Sequence, residues 1–234
     1  MVNLLDPNAV LGRMFDAGKF EDMLRYCNTM LDNNPNDMLG LQNSALALFN
    51  LEQFTDAINF CDRILEIEDS DPHALKIKIY CLEKMKRYEE ALQCCTQLLD
   101  KIPNDIWTLN SIGLSLNEMD RHEEAMAYYD MVLDLDKNDI TALLNKAASL
   151  HHLGNYRECI FYYDQAQALD HSLEDVPVAK SRAFEKMGLA DDAFLAAQGM
   201  LLRDMEKIKK DAKKNKYTVF HQFCTDEYER LNRR

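Results

Sequence analysis

The sequence predicts an all-α protein built from tandem helical hairpins, and three observations lead to this fold class. A pattern of two helices and a short polar turn is clearest in residues 106–139 and recurs when the sequence is shifted by 34 residues. The chain is 47% hydrophobic with only 7 glycines and 5 prolines, which is typical of a mostly helical protein. Aspartates recur at one position of the pattern, where they can cap the helix that follows.

The repeating pattern divides the chain into six units of 34 residues without insertion or deletion. The predicted units begin at Leu4, Met38, Pro72, Ile106, Ile140 and Glu174. Position 8 of the unit is mostly small and is occupied by Leu11, Ala45, Ile79, Gly113, Ala147 and Ser181. Position 20 is also mostly small and is occupied by Met23, Ala57, Ala91, Ala125, Cys159 and Ala193. Small side chains at these positions let the two helices of a hairpin approach closely.

Capping residues and turn residues predict where the helices begin and end. Position 34 supplies the N-cap of the next unit's first helix, and four units carry aspartate there: Asp37, Asp71, Asp105 and Asp139. Pro72 then falls at the first helical position, where its missing N–H donor costs nothing. Gly18 and Gly154 predict turns between the hairpin arms. Pro7, at position 4 of the first unit, predicts a shortened first helix.

The segment after the repeats is basic and helical in pattern. Residues 191–216 are predicted to form one long helix that runs from the sixth unit into a lysine-rich end. A further amphipathic helix is predicted from the spacing of Phe220, Phe223, Cys224, Tyr228 and Leu231. We therefore predict repeats over residues 4–202 and a C-terminal segment, an extended basic helix and a capping helix, over residues 203–234. The alternative interpretation is that the basic stretch docks on an acidic surface.

Charge and composition exclude several classes of function. Residues 1–202 carry a net charge of −17 and residues 203–234 carry +4, which gives the chain's −13. An acidic body repels phosphate backbones, so nucleic-acid binding by the repeats is disfavoured. The apolar runs are far too short for a membrane span, and the N-terminus lacks the pattern of a secretory signal. Seven cysteines without disulfide-framework spacing indicate a reducing compartment, and we predict a cytoplasmic protein.

The repeat resembles the tetratricopeptide repeat. That family has small residues at positions 8 and 20, an aromatic residue at 17 and a proline near 32. The residues that carry the resemblance at positions 17 and 32 are Phe20, Phe54, Tyr88, Tyr156, Pro35 and Pro103. The resemblance covers roughly residues 4–207, and the sixth unit departs most, with Pro177 and Ala190. It implies a right-handed superhelical solenoid in which the first helices line a concave groove.

Residues on the first helices that point away from the core are candidates for binding a peptide. Asn43 and Asn145 share position 6, where several tetratricopeptide proteins place an asparagine against the main chain of a peptide. An amide both donates and accepts, so it can bind a main chain whatever the peptide's sequence. The candidate concave-face residues are Asn43, Leu46, Lys76, Tyr80, Lys84, Asn110, Leu114, Asn117 and Asn145. The alternatives are a solvated polar face at the asparagines and packing between adjacent first helices at Leu46, Tyr80 and Leu114.

One known binding mode of the family does not fit this sequence. Some relatives clamp the acidic C-terminal tails of heat-shock chaperones with a set of lysines, asparagines and an arginine. Asn43 matches one position of that set, but Asn8 and Gly12 replace the preceding lysine and asparagine, and His73 and Ile77 replace the basic pair that follows. A carboxylate bound there would lack its charge-assisted partners, so a chaperone tail is disfavoured as the partner.

No residue set predicts catalysis, a metal or a cofactor. Cys27, Cys61 and Cys95 share position 24 in three different units and are predicted to be core residues. The Cys94–Cys95 and His151–His152 pairs lack further ligands at suitable spacing. The chain contains no phosphate-binding glycine loop, no G-x-S-x-G and no H-E-x-x-H. We therefore predict that the protein is not an enzyme and uses no cofactor.

The leading hypothesis from the sequence is a protein-interaction scaffold that binds an extended peptide or a helix of a partner in its concave groove. The acidic exterior predicts a partner of basic or mixed charge. The alternative is a structural protein that self-associates, for example as a homodimer, through its ends or its C-terminal helix. A third hypothesis is a non-catalytic subunit of an enzyme whose catalytic part lies on another chain.

Overall fold

A computed structural model describes residues 6–232, and this part of the chain is helical throughout, with short turns and no strand. It contains 14 helices. Their bounds are α1 Pro7–Asp16, α2 Phe20–Asn33, α3 Met38–Asn50, α4 Phe54–Ile67, α5 Pro72–Lys84, α6 Tyr88–Lys101, α7 Ile106–Glu118, α8 His122–Leu135, α9 Ile140–His152, α10 Tyr156–Leu169, α11 Asp175–Lys186, α12 Ala190–Ala197, α13 Leu202–Asn215 and α14 Val219–Asn232. None of these helices has the length and apolar composition needed to cross a membrane.

The 34-residue period sets the helix boundaries. The first helices of units two to five begin at the predicted residues, and all six second helices begin at position 17. The predicted start of the first unit, Leu4, lies outside the described residues. The first described helix begins at Pro7, with the side chain of Asp6 accepting a hydrogen bond from the N–H of Asn8 at 3.1 Å. The prediction of a short first helix is therefore confirmed.

The aspartates at position 34 cap the helices that follow them, as predicted. Their carboxylates accept the backbone N–H of the residue three positions later, at 2.8 Å for Asp37, 2.6 Å for Asp71, 3.0 Å for Asp105 and 2.7 Å for Asp139. Each cap satisfies one of the backbone donors that the first turn of a helix leaves without a partner. The hairpins are thus joined to one another by a repeated local interaction.

The turn inside each hairpin requires a left-handed backbone at position 15. The sequence predicted it from Gly18 and Gly154, which have φ of +65° and +79°. Four further units use the same conformation, with Glu52, Lys86, Asp120 and Gly188 at φ of +58°, +59°, +58° and +73°. A side chain in this conformation costs about 1 kcal/mol. Position 15 therefore takes this conformation in all six repeats, whether or not it is glycine.

The helices form two compact units, one ending at Met119 and the other beginning at Asp120. In the first unit each helix from α1 to α7 packs against the next one along the chain. The same holds from α8 to α14 in the second unit. All the position-20 residues, which were predicted to lie where helices approach closely, are buried. Within each compact unit, the helices therefore build the core through contacts with their sequence neighbours.

The predicted long helix over residues 191–216 is wrong, because the chain breaks between α12 and α13. Helix α12 ends at Ala197 after only eight residues, and α13 begins at Leu202. Gly199 has φ of +75°, a conformation that ends a helix. The sequence pattern missed this break because the apolar spacing continues through it, so its cause lies in residues distant along the chain.

A buried polar cluster holds the backbone of this break, and we call it the Lys180 cluster: the side chains of Lys180, Asp164 and Gln167. The Nζ of Lys180 donates to the carbonyl of Met200 at 2.9 Å and to Oε1 of Gln167 at 3.0 Å, and it pairs with Asp164. Gln167 Nε2 donates to the carbonyl of Gly199 at 2.7 Å. The same Asp164 carboxylate accepts the N–H of residue 202 at 2.9 Å. These bonds supply partners for backbone groups that a continuous helix would satisfy internally.

The two C-terminal helices differ in how they pack. Helix α13 buries Met205, Ile208 and Ala212 in the same cluster as Phe184 and Leu195. Helix α14 packs mainly through Val219 and Phe223, and the Phe223 and Phe194 ring centroids lie 5.5 Å apart. The rest of its predicted apolar stripe is exposed: Phe220 at 61%, Cys224, Tyr228 at 71% and Leu231 at 64%. Helix α14 therefore covers the core through Val219 and Phe223, while the rest of its apolar stripe stays exposed.

Candidate peptide-binding face

In the first compact unit, which ends at Met119, helices α3, α5 and α7 lie side by side and present a common surface. Helix α3 packs against α5, and α5 packs against α7. We call this surface the first-helix face; it carries every predicted site residue except Asn145, namely Asn43, Leu46, Lys76, Tyr80, Lys84, Asn110, Leu114 and Asn117. The rings of Phe49 on α3 and Tyr80 on α5 meet edge to face, with centroids 5.1 Å apart. The face is thus continuous from one helix to the next.

The apolar side chains at position 9 differ in exposure along the face. Leu46 is half-buried, whereas Tyr80 is 38% exposed and Leu114 is 37% exposed. Large apolar side chains exposed on neighbouring helices are a feature of binding surfaces. Two of the three predicted apolar anchors are therefore accessible, and the third lies partly under its neighbours.

The two lysines of the face have different environments. Lys76 Nζ lies 3.1 Å from Asp105 Oδ1 and 5.3 Å from the centroid of the Trp107 ring. Burial raises the pKa of Asp105, but hydrogen bonds from Thr108 and Lys76 outweigh burial, so this pKa lies below its ordinary value. Lys84 is exposed, with its Nζ 5.2 Å from the centroid of the Tyr80 ring. Lys76 is therefore held in place by its own chain, while Lys84 presents its charge to solvent.

The asparagines of the face are half-buried. Asn43 Nδ2 donates to the carbonyl of Leu39 on its own helix at 2.8 Å. An amide has two N–H donors and an acceptor oxygen, and this bond uses one donor. It also fixes the orientation of the side chain, which lowers the entropy lost when the amide binds a ligand. Asn110 and Asn117 lie on α7 beside the exposed Leu114.

A half-buried acid that the sequence pattern does not single out, Glu83, lies on α5 beside α7. Burial raises the pKa of Glu83 to about 7, although the hydroxyls of Ser111 and Ser115 on α7 and the charge of Lys84 oppose the shift. The Oε1 atom of Glu83 has no hydrogen-bond partner. Glu83 occupies position 12 of the repeat that begins at Pro72. The only sequence feature that hints at its burial is the pair Ser111 and Ser115 on the next first helix, which lie beside it.

The second compact unit, which begins at Asp120, contains the remaining predicted residue, Asn145, in the wall of a cavity of about 550 Å³. Leu144, Ala148 and Val176 supply apolar wall, and Glu174 and Asp175 are acidic residues of the same lining. Burial raises the pKa of the Tyr163 phenol, also in the lining, to about 12. This cavity combines an apolar wall, an amide and two carboxylates, and it can hold one large side chain.

Salt bridges recur between successive units at a spacing of 16 residues, and the sequence analysis missed them. They join position 25 of a second helix to position 7 of the next first helix, in the pairs Asp62–Lys78, Asp130–Lys146 and Asp164–Lys180. The lysine side chain is 22% exposed in the first pair and fully buried in the third. A search for opposite charges at this spacing would have found the pairs, because the period places both positions at the same contact.

The cysteines and histidines are the residues that the sequence analysis weighed as metal ligands or core residues. Cys27, Cys61 and Cys95 are fully buried, as predicted, and burial raises the pKa of the Cys27 thiol to about 11. The rings of His122 and His152 stack with centroids 4.7 Å apart. In the part of the chain that the structure describes, no group of three or more metal-ligating side chains is close enough to hold a metal ion.

Comparison with known proteins places this arrangement in a class. The family model described as the psidin N-terminal tetratricopeptide-repeat region matches residues 47–159. The structure is similar to MamA from Desulfovibrio magneticus RS-1, with 21% identity, a TM-score of 0.67, and 72% of this chain and 95% of that chain covered. It is also similar to a tetratricopeptide-repeat protein from Parabacteroides merdae, with 16% identity, a TM-score of 0.72, and 82% and 76% covered.

A third solved structure is that of YrrB, described as a tetratricopeptide-repeat protein with an unusual peptide-binding site; it is 17% identical, with a TM-score of 0.61. The alignment covers 74% of this chain and 89% of that chain. No curated protein matches the sequence. The family match, the 34-residue period and these structural likenesses agree. Residues 47–159 belong to the tetratricopeptide-repeat family, and the predicted all-α fold class is confirmed for the described residues.

Proposed function

We propose that this protein is a non-catalytic, cytoplasmic interaction scaffold whose first-helix face binds an extended segment of a partner protein. The observation that carries the proposal is the exposure of Tyr80 and Leu114 on adjacent helices of one continuous face. A folded chain gains by burying such side chains, so their exposure favours an occupant supplied by another molecule. The solved structure titled as having an unusual peptide-binding site supports a role of this kind for the fold.

Each predicted residue has a part in this binding mode. Tyr80 and Leu114 are the anchors for apolar side chains of the partner, with Leu46 extending the surface. Amides of Asn43, Asn110 and Asn117 bind its main chain, since an amide matches the peptide group as both donor and acceptor. Lys84 and the Lys76–Asp105 pair favour a partner of mixed charge.

In the second unit, Asn145 and its cavity are proposed as a separate binding site for one side chain. The apolar wall suits the methylene part of a long side chain, and the carboxylates of Glu174 and Asp175 favour a basic end group. The acidic balance of the repeats agrees with a partner that carries basic residues. Free thiols at all seven cysteines agree with a reducing compartment such as the cytoplasm.

Replacing both anchors is expected to weaken peptide binding. Peptides are selected from a random-sequence phage library with the natural chain, and their dissociation constants are then measured for Tyr80→Ser/Leu114→Ser. Loss of two exposed apolar anchors is expected to raise the dissociation constant by about tenfold or more. The far-UV circular dichroism of the variant is expected to match that of the natural chain, because both side chains are more than one-third exposed.

The matched control is Ile67→Ser/Ile102→Ser in the same unit. These isoleucines are 46% and 38% exposed, so the control removes a similar apolar area away from the face. The peptides selected with the natural chain are expected to bind this control with unchanged affinity. Equal weakening in both double variants, or none in the Tyr80→Ser/Leu114→Ser chain, contradicts the proposed binding face.

A further inference from the structure

A groove lies between α8 and α10, each of which is the second helix of its repeat. It has a volume of about 600 Å³, and its floor includes Leu133 and the buried Leu143. One edge, on α8, carries the carboxylates of Asp130 and Asp134. The other edge, on α10, carries Phe161 and Leu169, which are 50% and 45% exposed. The α8–α10 groove therefore has apolar side chains inside and on its α10 edge, and charged side chains of both signs, Asp130, Asp134 and Lys137, toward α8.

The apolar stripe of α14 is the complementary feature of the same chain. Phe220, Tyr228 and Leu231 are the most exposed large apolar side chains of the described residues, at 61%, 71% and 64%. Together with Cys224 they form a stripe at spacings of four, four and three residues, which is one face of a helix. Helix α14 contacts α12 and α13, and the stripe stays exposed in spite of those contacts.

We propose that the α14 stripe of one copy of this chain binds in the α8–α10 groove of a second copy. Apolar side chains that a single copy leaves in water on α14, and on the α10 edge of the groove, would cover one another. A helix with one apolar face fits a groove of this kind, in which spaced side chains act as anchors. Among the described residues of α8 to α14, the ring of Phe220 contacts Phe194 with centroids 5.4 Å apart, yet the stripe and the α10 edge of the groove stay largely exposed.

Charge favours the same occupant. Lys213, Lys214 and Lys216 are exposed immediately before α14. The groove lining carries Asp134, Asp130, which pairs with Lys146, and one lysine, Lys137. Across the sequence, residues 203–234 carry +4 and residues 1–202 carry −17. The basic C-terminal segment of one copy is thus attracted to the acidic repeats of another. In a two-fold arrangement each copy gives its α14 to its neighbour's groove, so the assembly closes at two chains.

Light scattering of the full chain over a range of micromolar concentrations tests the proposal. The natural chain is expected to be a dimer, and Tyr228→Ser/Leu231→Ser is expected to raise the dimer dissociation constant by about tenfold or more. The control Ile67→Ser/Ile102→Ser is expected to dimerise like the natural chain. A monomeric natural chain, or a dimer that persists unchanged in the Tyr228→Ser/Leu231→Ser variant, overturns the proposal.

The groove side has its own matched pair of variants. Leu169 and Leu135 occupy the same repeat position on α10 and α8 and are 45% and 49% exposed, but only Leu169 lines the groove. Leu169→Lys is expected to abolish the dimer at concentrations where Leu135→Lys retains it. Equal behaviour of the two variants overturns the groove as the docking site. Peptide binding by the first-helix face is expected to be unchanged in all these variants, so the two proposals fail separately.

Discussion

Replacing Lys180 with methionine is expected to lower the free energy of unfolding of the second compact unit, which begins at Asp120, by about 3 kcal/mol. The Lys180 side chain is fully buried and bonds to Asp164, Gln167 and the carbonyl of Met200. Methionine fills a similar volume but has no N–H donor, so it leaves the Asp164 carboxylate without its countercharge in a site that is largely dry. The cost of a buried charge without a partner exceeds that of the lost packing.

Urea unfolding followed by circular dichroism measures this cost, and amide hydrogen exchange shows where it acts. Exchange in residues 198–202 is expected to accelerate, because the Lys180 cluster holds that backbone. The matched control is Lys78→Met, in which the replaced lysine makes the equivalent pair with Asp62 but is 22% exposed beside a 47% exposed carboxylate. Its effect is expected to stay below about 1 kcal/mol. Equal losses in the two variants would contradict the role assigned to burial.

Replacing Glu83 with glutamine is expected to make the first unit more stable at neutral and basic pH. Burial raises the pKa of Glu83 to about 7 in the folded chain, against an ordinary value of 4.5. The folded chain therefore binds more protons than the unfolded chain between these values, and stability falls as pH rises through that window. Above pH 7 the ionised carboxylate costs roughly 2 kcal/mol, once solvent screening of this half-buried group is allowed for.

The measurement is urea unfolding at about pH 5 and about pH 8. The natural chain is expected to lose stability between the two, and Glu83→Gln is expected to lose less. Glu89→Gln, which removes an exposed carboxylate from α6, controls for the change in net charge. A natural chain and a Glu83→Gln variant with the same pH dependence would show that Glu83 is not the group responsible.

Most of the fold follows from local patterns, and this is why the sequence predicts it. The aspartate caps act within three residues, and the buried alanines at position 20 mark the close approach of helices that are adjacent in sequence. Since the helices of each compact unit pack on their neighbours along the chain, a pattern read at one period describes most of these contacts. No step of that prediction requires knowledge of distant residues.

The break between α12 and α13 could not be predicted in the same way, because its cause is long-range. Gln167 interrupts an otherwise apolar position of the repeat, and its partner is a carbonyl 32 residues away. The bond of Asp164 to the N–H of residue 202 spans 38 residues. Neither the apolar spacing nor the acidic first turn of α12 carries this information. The exposure of the α14 stripe was missed for a related reason, since spacing identifies an apolar face but not what covers it.

For the first-helix face, the sequence predicts which residues lie on it better than it predicts their burial and their partners. The exposure of Tyr80 and Leu114 follows from their place on the first helix. That Lys76 pairs with Asp105, 29 residues away, depends on side-chain reach across two helices. Glu83 was overlooked because its burial results from the packing of α7 and not from its own neighbours in sequence.

Site-specific photo-crosslinking tests the central claim most directly. A photoreactive phenylalanine analogue is placed at Leu114 on the first-helix face or at Ile67 at the end of a second helix, two sites of similar exposure. Peptides selected by the natural chain are then irradiated with each variant, and the products are mapped by mass spectrometry. We expect crosslinks from position 114 and none from position 67; crosslinks from position 67 alone, or equally from both, would contradict a partner segment bound along the first helices.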